Sequence, residues 1–161
     1  MIQNSGRSIA LWAALAVFWH GGSASAAATL QVAGTNQASL LSLPVSAGER
    51  WCLVWNHSVT GEEVRDCFRE DAGQVLLERS YQIDFSSAGL GHIPGRGTIV
   101  PDGRGGQWIE NINEPVQETG LVLRAGAMAV NHRLVLDSGT FSLSEIAAGQ
   151  RVTIRLVGTQ E

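Results

Sequence analysis

The stretch Trp51-Cys-Leu-Val-Trp-Asn-His-Ser-Val-Thr-Gly-Glu-Glu-Val-Arg-Asp-Cys-Phe68 decides how this chain folds. Apolar and aromatic residues stand at Trp51, Leu53 and Trp55, and again at Val64 and Phe68, on either side of Thr60-Gly61. That alternation is the period-two pattern of a half-buried antiparallel strand pair. Gly61 supplies the positive φ that a short hairpin loop requires. Cys52 and Cys67 then share one face of the hairpin, opposite Trp51, Leu53 and Trp55, because successive strand side chains alternate.

Two registers are open at this point. With the cysteines directly opposite, His57 faces Glu62 and the loop Ser58–Gly61 has four residues. A two-residue turn at Thr60-Gly61 instead pairs His57 with Val64 and sets the cysteines on a diagonal too long to bridge. In either register Asp66 lies on the histidine's face.

The N-terminus reads as a targeting segment. Arg7 is followed by an apolar run from Ile9 to Trp19, then by small residues and the Ala24-Ser25-Ala26 cleavage pattern, so residues 1–26 are expected to be a signal peptide. The rival reading is an uncleaved anchor, the only membrane contact the chain would then make; the apolar run falls short of the roughly 20 residues that span a bilayer. Residues 27–161 form one domain of adequate core size. Export to an oxidising, periplasmic compartment makes Cys52 and Cys67, the whole cysteine inventory, an expected disulfide. The formal charge of −4 speaks against a nucleic-acid surface, which is strongly basic. All basic side chains are arginine, as a GC-rich coding sequence would produce.

Beyond the signal the chain holds short apolar or alternating runs and no long helical pattern. The runs are Thr29–Ala33, Leu40–Val45, Trp51–His57, Glu63–Phe68, Gln74–Phe85, Gly97–Val100, Gln107–Ile109, Gly120–Arg124, Ala127–Leu136, Thr140–Leu143 and Arg151–Val157. Turn signals such as Ala72-Gly73, Pro101-Asp102-Gly103 and Asp137-Ser138-Gly139 separate them. The fold class is therefore all-β, a single-domain antiparallel β-sandwich or partly open barrel. Ser144–Ala148 has room for one helical turn, with Ser144 near its cap. Between Gly89 and Gly106 stand seven glycines with His92, Arg96 and Arg104. This stretch is read as a crossover between the two sheets or as a binding loop.

Candidate chemistry is sparse. His57, Ser58 and Asp66 carry the residue types of a hydrolase triad, yet neighbouring strand residues point to opposite faces, which separates the imidazole from the hydroxyl. No Gly-x-Ser-x-Gly elbow occurs. His57 is better read as a hydrogen-bonded histidine that pins its loop, or as half of a pH-sensing pair with an acid. His57, His92 and His132 come from separate segments without paired zinc-ligand spacing, so neither a metal nor another cofactor is expected. Arg124, in the Leu121/Leu123 strand, is expected to pair with an acid or to present to an anion.

The aromatic-x-His-Ser-Val segment ending at Val59, and the Val64-x-Asp66-x-Phe68 segment after it, resemble the bacterial domain of unknown function 1850 family. Phe85-Ser-Ser-Ala-Gly-Leu-Gly91, Leu121-Val-Leu-Arg-Ala-Gly126, Asn131-His132 and Gly149-Gln-Arg-Val-Thr-Ile-Arg155 fit the same pattern, so the likeness runs from about Leu40 to Val157. The family usually has Glu where Asp66 stands, and the cysteine pair is not expected of it. Proteins similar to this family are often encoded beside tripartite (TRAP-type) transporters that use a TAXI-type periplasmic binding protein. The resemblance thus implies a non-enzymatic exported accessory protein that contacts the transporter's membrane subunit or its binding protein. Residues expected at a ligand- or partner-binding site are His57, Ser58, Asp66, Gly89, Gly91, His92, Arg124 and His132. Two other functions remain open: a module that binds small carboxylates through Arg96 and Arg104, and a hydrolase using His57.

Overall fold

The computed structural model describes residues 28–83 and 93–158. Two antiparallel sheets face one another as a sandwich, and neither closes into a barrel. The smaller sheet contains β1 (Ala28–Ala33), β2 (Ser39–Val45), β9 (Leu121–Arg124) and β12 (Arg151–Val157), in the order β2-β1-β12-β9. The larger contains β3 (Arg50–Asn56), β4 (Glu63–Asp71), β5 (Gln74–Gln82), β6 (Thr98–Pro101), β7 (Gln107–Glu110), β10 (Arg133–Leu136) and β11 (Gly139–Ser142). Its order is β11-β10-β3-β4-β5-β7-β6, with the two-residue β8 (Glu114–Pro115) also on β5.

The hairpin takes the first register. Cys52 pairs with Cys67 and Asn56 with Glu63, and the His57 N–H donates to the Glu62 carbonyl at 2.7 Å. Gly61, at φ 74°, donates its N–H to the His57 carbonyl at 2.8 Å and closes the loop. The disulfide Cys52–Cys67 is formed on the outer face, bridging Cα atoms 4.0 Å apart. The alternate positions Trp51, Leu53, Val64 and Phe68 point inward and are buried. Trp51 stacks on Phe68 with ring centroids 4.4 Å apart. Against them the smaller sheet sets Leu30, Val32, Leu43, Val45, Val152 and Ile154. Each such large apolar side chain contributes about 1.5–3 kcal/mol by leaving water, so the inward parity fixes the register independently of the bridge.

Other segments depart from the sequence pattern for local reasons. The helix α1 runs from Leu143 to Ala147, one residue earlier than expected, because Ser142 and not Ser144 is the cap: its hydroxyl accepts from the Glu145 N–H at 3.1 Å. Of the run Ala127–Leu136, only Arg133–Leu136 is strand. Residues 127–131 form a turn in which the Val130 and Asn131 N–H groups both donate to the Ala127 carbonyl, and Asn131 takes φ 51°. The glycine-rich stretch is not a crossover between sheets, because β5, β6 and β7 all belong to the larger one. The chain instead leaves that sheet after β8. Strands β7 and β8 lie along the same edge of β5, interrupted at Asn111 and Asn113 (φ 60° and 50°) opposite Glu78, the extra residue of a bulge in β5. Ile112 keeps the ladder by donating to the Glu78 carbonyl at 2.9 Å, and Val116 donates to the Val75 carbonyl at 2.8 Å. Residues 117–120 then cross to the smaller sheet.

Glu70 ties two turns to the core. It is buried, and its carboxylate accepts from the Gly48 N–H at 2.6 Å and the Gly73 N–H at 2.7 Å. Each oxygen thus satisfies a donor that a tight turn leaves unpaired. Among the described residues no helix is long and apolar enough to cross a membrane.

Candidate functional site

The hairpin register separates the residues that resemble a triad. Asp66 pairs with Leu53, four positions along β3 from His57, which amounts to about 13 Å. His57 turns its ring onto its own loop: Nδ1 accepts from the Thr60 N–H at 3.3 Å, and the Thr60 hydroxyl lies at the same distance. Nδ1 is thus engaged within the loop itself. Ser58 is exposed in the turn. His57 therefore pins the loop, and its ring bonds Thr60 and not an acid.

His132 is likewise built into the frame. Its ring stacks on Trp55 at 5.9 Å, and Nδ1 accepts from the Gly126 N–H at 2.9 Å. Its backbone N–H donates to the Ser144 hydroxyl at 2.8 Å, which fastens β10 to α1. Burial pushes the imidazole pKa down from its ordinary value. Arg124 is exposed and donates through Nη1 to the Gly149 carbonyl at 2.6 Å, where an acidic partner was expected. Gly89, Gly91 and His92 lie outside the described residues, as does the N-terminal segment 1–26. Among the described residues no group of three His, Cys, Asp or Glu side chains gathers to hold a metal ion.

Asp66 is different. It points inward from β4 into a cleft of about 360 Å³ whose lining includes Phe68, Leu77, Val116, Leu121 and Val122. The Ser80 hydroxyl, directly opposite on β5, donates to Asp66 Oδ1 at 2.6 Å. Burial among these apolar walls pushes the carboxyl pKa up; the Ser80 hydrogen bond and the charge of Arg96 oppose that shift. Arg96 itself is held by Glu114, Nε to Oε1 and Nη2 to Oε2, both at 2.9 Å. This two-pronged pair occupies the fork that would otherwise receive a carboxylate ligand. A neighbouring cavity of about 350 Å³ shares Val116, Gln117, Gly120 and Leu121 with the cleft and reaches Trp51 and Ile154. The crossing segment that leaves β8 therefore walls both spaces.

The outer face of the larger sheet carries a second arrangement, set by register alone. Val100 pairs with Trp108, Trp108 with Tyr81, and Tyr81 with Arg65, so four side chains stand in one row across β6, β7, β5 and β4. The Tyr81 and Trp108 rings are 5.0 Å apart, and the Arg79 guanidinium lies 4.3 Å from the Trp108 ring centre. The Tyr81 hydroxyl donates to Asp102 at 2.8 Å, and Asp102 also accepts from the Arg104 and Gly106 N–H groups. Those bonds hold the Asp102 carboxyl below its usual range, the Arg104 N–H most of all, while Asp102 raises the Tyr81 phenol. A groove of about 370 Å³ lined by Glu63, Arg65, Tyr81, Asp102, Arg104 and Trp108 results. Sequence reading passed over Tyr81 and Arg79. Their signal is parity, visible only once β5 and β7 are known to be neighbours.

The family model for a domain of unknown function, DUF1850, matches residues 52–143. The chain belongs to this family. The match begins at Cys52 and ends at Leu143, so it takes in the disulfide hairpin, the Asp66 cleft, the outer aromatic row and the first residue of α1. No curated protein and no solved structure matches the chain.

Proposed function

We propose that this protein is an exported, non-enzymatic accessory protein of the periplasm that works by docking beside a TAXI-type TRAP solute transporter, on the membrane subunit or on the periplasmic binding protein. The observation that carries the docking is the Val100–Trp108–Tyr81–Arg65 row with Arg79 over Trp108. Trp, Tyr and Arg are the side chains that dominate binding energy at protein interfaces, because they join large apolar area to a polar handle. The row ends at β6, the edge strand of this sheet among the described residues and exposed along its whole length, where a partner can add main-chain hydrogen bonds. The residues that first suggested chemistry support the same reading, since His57 closes its own loop and stands about 13 Å from Asp66. Deleting the gene tests the role: uptake through the neighbouring transporter should fall and return on complementation. Unchanged uptake in the deletion strain would count against it.

Small-ligand binding is a second reading, and its own observation is the Asp66 cleft. The expectation that such a ligand is a carboxylate meets an obstacle in the structure, because Arg96 is already paired with Glu114.

A further inference from the structure

We propose that the Asp66 cleft is a binding site for a small ammonium compound with an apolar body, its positive end on Oδ2 of Asp66. This deepens the small-ligand reading and is independent of docking to a transporter. The cleft couples one carboxylate to apolar walls: Asp66 stands on the inner face beside Phe68 and Leu77, across from Leu121. Ser80 donates to Oδ1 only, and no described side chain donates to Oδ2. A carboxylate beside apolar walls is stabilised by each further donor that reaches it. A ligand N–H supplies that donor, and a cation supplies the counter-charge too.

Charge balance selects the sign. Among the described residues Asp66 and Glu114 line the cleft, and Arg96, paired with Glu114, is the one cation acting on Asp66, which leaves one net negative charge among these three groups. A monocation balances it, whereas a carboxylate ligand would add a second uncompensated anion beside Asp66. Size sets the body. A cavity of about 150 Å³ accepts benzene, so a space of about 360 Å³ holds an aromatic ring with a two- or three-carbon arm. The adjoining space beyond Val116 and Leu121 gives the apolar end room to extend.

The test is an NMR titration of the purified, disulfide-bonded protein with three probes of one shape: 2-phenylethylamine, 2-phenylethanol and 3-phenylpropionate. The amine should give saturable shifts at the amides of Asp66, Leu77 and Val122, the alcohol weaker ones, and the acid none. Asp66→Asn keeps the shape and a hydrogen-bonding partner for Ser80, and should weaken the amine by roughly tenfold to a hundredfold, the worth of one hydrogen bond to a charged group. Thr119→Trp, on the exposed crossing segment, keeps the carboxylate but narrows the cleft, and should also lose the amine. Amine binding equal in either variant overturns the proposal. So does tighter binding of the acid, or an absence of shifts with all three probes.

Discussion

Replacing both cysteines by alanine isolates what the covalent bridge adds to a register that packing already specifies. Cys52 and Cys67 are separated by 15 positions. Closing a loop of this length removes unfolded-state entropy worth about 3 kcal/mol. For a domain between the small and large size classes, each kcal/mol moves the melting temperature by about 3–4 °C, so the double variant should melt roughly 10 °C lower. The native register should survive, because Trp51, Leu53, Val64 and Phe68 remain buried on the opposite face and a one-residue slip would turn them all to water. The assay is thermal unfolding followed by circular dichroism of oxidised wild type, reduced wild type and the Cys52→Ala/Cys67→Ala variant. Near-ultraviolet spectra report the Trp51–Phe68 stack. The reasoning is refuted if the three species melt together, if the variant loses its near-ultraviolet signal at low temperature, or if the unreduced native protein titrates two free thiols.

Three further outcomes follow from the same geometry. Glu70→Gln replaces an oxygen that accepts the Gly48 or Gly73 N–H by an amide donor, and should cost about 1–3 kcal/mol, read as a lower urea midpoint with an unchanged slope. Gly106→Ala would place a methyl 2.1 Å from the Tyr81 hydroxyl, so the ring must move; the Tyr81–Asp102 hydrogen bond should break, and phenol titration by ultraviolet absorbance should shift back down toward the ordinary tyrosine value. His132 has a folded pKa below its unfolded one, so the unfolded chain binds the proton first as pH falls; stability should decline on acidification from about 6.5 down through the folded pKa, and His132→Gln should flatten that part of the melting-temperature profile. A wild-type profile that rises on acidification relative to the variant would reverse the sign and contradict the burial argument.

Period-two alternation made the sandwich legible because each long strand has one wet and one dry face. Trp51–Phe68 is the clearest instance, and its cysteines can bridge in only one of the two registers open to the sequence, the one the hairpin takes. The misplaced segments lack that alternation. Ala127–Val130 is an unbroken apolar run ahead of the polar Asn131-His-Arg133, so no alternation reveals that it is a turn ended by Asn131 in a left-handed conformation. Glu114–Pro115 is too short to carry a period, and its pairing depends on the bulge at Glu78. The candidate site was less legible because it is made of neighbours distant in sequence. Asp66 was visible as a residue on the same hairpin face as His57, but its partner Ser80, its apolar walls and the Arg96–Glu114 pair depend on which strands lie side by side. The outer row is the same case: Tyr81 and Trp108 become a surface only through the β5–β7 register.

The most direct measurement of the docking account is co-purification of the tagged, full-length protein from native membranes in mild detergent, with wild type and Trp108→Ala compared side by side. Trp108 stands on the outer face, away from the inner-face core, so the variant should keep the wild-type fold by circular dichroism. The account predicts that the transporter membrane subunit or its periplasmic binding protein comes down with wild type and is depleted at least tenfold with Trp108→Ala, the effect of losing about 1.4 kcal/mol or more at an interface anchor. Recovery of neither component with wild type, or equal recovery with both proteins, would contradict it.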